Sequence, residues 1–180
     1  SVTSRPVAQD AATSVCGSWG DFDNDGDLDL LVLATGGSNL LYRNGGDGQF
    51  TRVFTGPLIG MATNGNCATW VDVDRDGDLD LYVAQHSGGR DGFFRNEGSG
   101  GNWLEVACHL GPNRHALGTK VRVLATINGE EVWQMRQLGS DVSCLSQSAV
   151  PAHFGLGDAT NITTLRIEWM TGEVDEHPDA

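Results

Sequence analysis

The sequence predicts an all-β protein, on three observations. Its 25 glycines exceed the roughly 7% background, show no Gly-X-Y period and cluster with Asn, Asp and Ser, the composition of turns between short strands. Apolar residues alternate in short runs, Leu28, Leu30, Val32 and again Leu79, Leu81, Val83, which is the two-residue period of a strand. The chain also repeats itself: Cys16-Gly-Ser-Trp19 returns as Cys67-Ala-Thr-Trp70 and Asp21 as Asp72, a constant offset of 51 residues.

Each repeat begins with an acidic loop that leads into its alternating strand. Gly-rich turns follow, then Leu40-Leu41-Tyr42 or Phe93-Phe94, and in the first repeat Gln49 to Phe54. About four short strands per repeat is the size of one propeller blade. Tyr42-Arg43-Asn44 is echoed by Phe94-Arg95-Asn96 at an offset of 52, so one residue is inserted between loop and echo. From Asn102 the acidic loops stop, and Trp103 to His109, Thr119 to Ile127, Glu131 to Gln137 and Thr163 to Trp169 read as further strands, with Asn128-Gly129 as a turn. The fold expected is two propeller-blade-like repeats, about 15–66 and 67–100, within residues 1–100, then a small β-sandwich-like domain over 101–180. The boundary falls in Gly98-Ser-Gly-Gly101.

With 180 residues and 39% hydrophobic composition, the chain has room for one large or two small domains with a modest core. The longest apolar run, Leu30 to Ala34, is far short of the roughly 20 residues a membrane helix needs, so no membrane span is expected. No Met, basic n-region or apolar h-region opens the chain, which reads as a mature or excised piece.

Net charge is −13, and its placement says more than its size. Asp21 to Asp29 and Asp72 to Asp80 hold ten Asp and one base, Arg75. Acidity this local suits sites that load cations. No basic stripe exists for phosphate, so nucleic acid is not an expected partner.

Both loops read Asp-x-Asp-x-Asp-Gly-Asp-Leu-Asp. The first carries Asp21, Asp23, Asp25, Asp27 and Asp29, the second Asp72, Asp74, Asp76, Asp78 and Asp80. Carboxylates held this close raise one another's pKa unless a cation neutralises them. Gly26 and Gly77 occupy the sixth position, where a backbone folding round a metal needs a conformation that side chains disfavour, and Asp27 or Asp78 would then offer a carbonyl oxygen. Six or seven oxygens on a flexible loop suit Ca²⁺ better than Mg²⁺, so two calcium sites are expected. An EF-hand needs a bidentate Glu at position twelve and a following helix; here position twelve is Val32 or Val83, inside an expected strand.

These loops resemble the FG-GAP or VCBS repeat, the calcium-binding blade of integrin-α-like propellers, and Asn44-Gly-Gly-Asp-Gly-Gln-Phe50 is similar to its connecting turn. The second half resembles the ASPIC/UnbV domain through Asn113-Arg114-His115-Ala116-Leu117-Gly118, Ser146-Gln147-Ser148, His153-Phe154-Gly155-Leu156-Gly157 and Ile167-Glu168-Trp169-Met170-Thr171-Gly172. Lys120 and Met170 depart from that family's pattern, which tends to a small residue and to Pro. The pairing resembles that of the cartilage acidic protein family and its bacterial relatives. It implies a secreted or cell-surface module, periplasmic in a bacterium. Because a propeller closes with at least four blades and two leave edges uncovered, further blades upstream or association of chains through sheet edges is expected.

Four Cys without a C-x-x-C pair argue against zinc and thioredoxin chemistry. Cys16 with Cys67 and Cys108 with Cys144 are the disulfides expected in an oxidising compartment; the alternative is four buried thiols. The five histidines form no ligand spacing, and His153, preceding Phe-Gly-Leu-Gly, is the one candidate for more than a surface or core role. Trp19 and Trp70 recur at the repeat period and are expected to pack blade cores, with sugar stacking as the alternative. Asn161-Ile-Thr163 is a glycosylation sequon. No nucleophile elbow, P-loop or dinucleotide fingerprint is present. The expected function is a calcium-stabilised, non-enzymatic module binding protein or glycan. The alternatives are an enzyme or enzyme accessory of secondary metabolism, and a self-assembling structural unit.

Overall fold

The computed structural model describes residues 7, 10, 12–86, 89–98, 100–111, 115–139 and 151–178. Strands β1 (Ser14–Gly20), β2 (Asp29–Ser38), β3 (Leu40–Asn44) and β4 (Phe50–Val53) pair antiparallel in chain order. One helical turn, α1 (Pro57–Gly60), begins on a proline, whose missing N–H costs nothing there. Strands β5 (Ala62–Val71), β6 (Asp80–Gln85) and β7 (Gly92–Phe94) repeat the arrangement in the same register: Trp70 lies opposite Leu81 as Trp19 lies opposite Leu30. The end of β2, residues 35–38, pairs with the start of β5, residues 62–64, which joins both repeats into one seven-stranded sheet.

The second repeat has three strands among the described residues, not the expected four. In the first, Asp47 Oδ1 accepts the Gln49 amide and the Gly45 amide bonds the Gln49 carbonyl, turning β4 back onto β3. The second repeat has no counterpart of Asp47-Gly-Gln, and its chain crosses to the C-terminal unit.

The core of this half lies between the two repeats. Cys16, Leu31, Leu33 and Leu41 from the first meet Ala68, Trp70, Leu81 and Val83 from the second, all buried. Trp70 stacks on Phe22, ring centroids 6.4 Å apart, and lies on Gly20, where an added Cβ would be 2.7 Å from the ring. Trp19 does not share this role: it is 48% exposed against 5% for Trp70, and meets Phe50 edge-on at 6.2 Å. The expectation that both pack blade cores is corrected for Trp19, because among the described residues no repeat lies on its side of the sheet.

The expected Cys16–Cys67 disulfide is also corrected, since both residues, and Cys108, are thiols. Side chains alternate along a strand. Cys16 points into the core between the repeats, whereas Ala68 and Trp70 take that face of β5, so Cys67 between Asn66 and Ala68 points to the opposite one. Cys144, with its pairing to Cys108, lies outside the described residues, as do Asn113, Arg114 and the Ser146-Gln147-Ser148 block.

The C-terminal unit has two layers. Strands β9 (Lys120–Ile127), β10 (Glu130–Gln137), β12 (Thr164–Glu168) and β13 (Val174–Pro178) form a sheet in the order β10-β9-β12-β13, and β11 (Ala152–Gly157) pairs with β8 (Asn102–Val106). Asn128 and Gly129, with φ of 52° and 82°, supply the two positive angles a two-residue hairpin needs. Val121, Val123, Ala125 and Ile127 alternate inward from β9 and bury against Phe154 and Leu156 of β11. The expected strand from Trp103 ends at Val106; His109 forms only an isolated bridge with His115.

Candidate metal centre

The two acidic loops connect β1 to β2 and β5 to β6, and they fold alike because their hydrogen bonds are alike. Position one accepts the amide of position six: Asp21 Oδ2 from Gly26 at 3.0 Å, Asp72 Oδ2 from Gly77 at 3.0 Å. Position five accepts from position seven: Asp25 from Asp27, Asp76 from Asp78. Position nine binds two amides with its two oxygens, Asp29 those of Phe22 and Asn44, Asp80 those of Val73 and Asn96. Gly26 and Gly77 have φ of 99° and 92°, the angles expected at the sixth position. Val32 and Val83, at position twelve, lie in β2 and β6.

This wrapping brings Asp21, Asp23 and Asp29 together, one oxygen of each within 4.8 Å of the others, and likewise Asp72, Asp74 and Asp76. Other loop carboxylates are used differently. Asp25 joins Asp23 in holding Arg43, and Arg95, its counterpart one repeat later, holds Asp74 and Asp76. Asp27 turns toward Gly46, while Asp78 Oδ1 accepts from Asn24. Asp80 braces its loop outside the second triad.

The two centres differ in burial. Asp21 and Asp29 are inaccessible, whereas Asp74 and Asp76 are open to solvent. Burial pushes the Asp21 carboxyl up to about 7, against partial relief from Arg136, and Asp29 up to about 8 despite its two amide bonds. Burial, then the neighbouring Asp25, also raises Asp23. An all-oxygen donor set that burial leaves reluctant to ionise fits a hard divalent cation, which would hold these groups as carboxylates.

What buries the first loop is the C-terminal unit. Gly155 donates its amide to Asp21 Oδ2 at 3.2 Å, Gly157 donates to the Asn24 carbonyl at 2.8 Å, and Ile127 covers Gly26. Over the second loop, Trp103 lies against Gly77, and His153 Nε2 is 2.9 Å from the Gly77 carbonyl. A carbonyl only accepts, so Nε2 carries the proton, and burial holds this imidazole below its usual pKa. Asn24, 1% exposed, ties the loops together through Nδ2, which donates to the Gly77 carbonyl at 2.9 Å and Asp78 Oδ1 at 3.0 Å.

The sequence singles out the loop aspartates as candidate ligands and passes over Asn24, Arg43, Arg95 and Gly155, which brace the loops. The 52-residue offset of Arg43 and Arg95 was a signal for those two. The others depend on long-range packing that no spacing announces.

Residues 21–83 match the family model of the FG-GAP-like repeat, and residues 109–179 match that of ASPIC and UnbV. A search of curated proteins found no match. The chain is an FG-GAP-repeat protein with a C-terminal ASPIC/UnbV domain, a combination that points to extracellular or cell-surface repeat proteins. Among the described residues no helix is long and apolar enough to cross a membrane.

Proposed function

We propose that this chain is a calcium-stabilised extracellular interaction module without catalytic function. The observation that carries it is the doubled loop, two nine-residue turns with matching hydrogen bonds, each gathering three aspartates. Asp21, Asp23 and Asp29 would hold one ion and Asp72, Asp74 and Asp76 the other, with the Asp27 and Asp78 carbonyls completing the shells. Extracellular calcium sites bind with Kd on the order of 10⁻⁴ to 10⁻³ M, and an ion bound only to the folded state stabilises it by mass action. Calorimetric titration with calcium and thermal melts in calcium and in chelator test this: two sites and a lower Tm in chelator are expected, and absence of both would overturn it.

The surface offered to a partner is the uncovered face of the first repeat. Leu79, Leu81 and Trp70 are buried by the preceding repeat, while their counterparts Leu28, Leu30 and Trp19 remain partly exposed. That face suits a β-rich protein, including another copy of this chain, better than a glycan, since it is mainly aliphatic. An enzymatic reading gains nothing from His153, whose Nε2 is committed to the Gly77 carbonyl.

A further inference from the structure

Strand β11 serves two layers at once. Phe154 and Leu156 point into the core of the C-terminal unit, alternation turns residues 153 and 155 the other way, and Gly157 follows a register shift against β8. Residues 153, 155 and 157 each contact an acidic loop: His153 at the Gly77 carbonyl, Gly155 at Asp21 Oδ2, Gly157 at the Asn24 carbonyl. The close approach explains Gly155, and a φ of 55° explains Gly157. A Cβ on residue 155 would collide with the Asp21 carboxylate and lie 2.6 Å from Asn24 Cα. Gln134 Nε2 braces the strand at the Gly155 carbonyl, 2.6 Å away.

Resting on the calcium reading, we propose that β11 couples ion loading of the loops to docking of the C-terminal unit, with His153, Gly155 and Gln134 as positioning residues. The Asp21 carboxylate is shared. Its Oδ2 accepts from Gly26 within the loop and from Gly155 across the interface, so the loop conformation that gathers Asp21, Asp23 and Asp29 is the one that β11 fits. Docking also shields Asp21 from water, which lessens the screening of its attraction for a cation. Undocked, the loop loses an amide donor and gains water, and its hold on the ion weakens. Linkage makes the effect reciprocal: whatever factor docking adds to ion affinity, the ion adds to docking. At the second loop the Gly77 carbonyl, held by Asn24 and His153, transmits the same constraint.

The test uses the full chain. Calcium affinity is measured by calorimetry, and amide hydrogen exchange is followed over residues 152–157 with calcium and with EDTA. In the wild type, calcium should slow exchange in this segment at least about tenfold. Gly155→Ala, which removes no carboxylate but sets a methyl group against that of Asp21, should weaken calcium binding about tenfold, within the roughly 5- to 150-fold range of site-to-site coupling. His153→Leu should weaken the second site, and His153→Gln, which keeps an N–H donor, should restore much of it. If Gly155→Ala does not fold, the His153 pair decides. Wild-type binding of calcium with unchanged exchange at 152–157, or with affinities unmoved by these variants, overturns the coupling alone. A calcium titration without heat or stabilisation in the wild type overturns the calcium reading and the coupling together.

Discussion

Gly20 lies beneath the indole of Trp70, with room for a hydrogen and not for a methyl group. The last residue of β1 thus determines how closely the second repeat can approach the first. Gly20→Ala should force the ring outward and cost about 1–3 kcal/mol, the usual penalty for overpacking a core. Urea denaturation followed by tryptophan fluorescence reads it, and an unchanged midpoint would contradict the packing described.

Truncation should separate the two repeat-period tryptophans. Trp70→Ala empties the core between the repeats and should cost about 3–5 kcal/mol, as buried aromatics do. Trp19→Ala removes a half-exposed ring and should cost well under half as much. The same denaturation experiment compares them, and equal losses would count against the difference in burial.

Asp23 and Asp29 sit in one triad but should respond oppositely to chelation. Asp29→Ala strands the amides of Phe22 and Asn44, a loss of roughly 1–3 kcal/mol for buried unsatisfied groups, and the loss should persist in EDTA. Asp23→Asn should lower Tm in calcium and change it little in EDTA. Melting both variants in both buffers checks the distinction.

Acidity should stabilise the chelated protein. Asp21 and Asp29 titrate at about 7 and about 8 in the fold, against 3.8 when unperturbed, so between these limits the folded chain binds more protons than the unfolded one. Their contribution is therefore complete below about pH 4 and is lost as pH rises through 7 to 8. Calcium competes with those protons for the same oxygens and should flatten the decline. Melts from pH 4 to 8 in EDTA and in calcium test this; a Tm in EDTA that climbs with pH through 7 would be inconsistent with it.

The fold was legible where the residues that make it are close in sequence. Leu28, Leu30 and Val32 announce a strand by alternation, the two loops announce their turns through Gly26 and Gly77, and Asn128-Gly129 announces a hairpin. Legibility stopped at contacts made across the fold. Nothing local to Trp19 distinguishes it from Trp70, because the difference lies in which side has a neighbour. Cys16 and Cys67 looked paired by their equivalence, yet equivalent positions on successive repeats face the same way, so one points toward the shared core and the other away from it. Nothing near Gly155 and Gly157 in the sequence announces that their amides meet the Asp21–Asp29 loop.

The left-handed residue at the fourth loop position is Asn24 in one repeat and Arg75 in the other, with φ of 56° and 64°. Only the asparagine has a short amide that can reach across to the Gly77 carbonyl and Asp78. The halves of this tandem are thus not interchangeable beads: exchanging their order, or inserting a third copy between them, would sever the tie and leave the long arginine projecting where the C-terminal unit now sits.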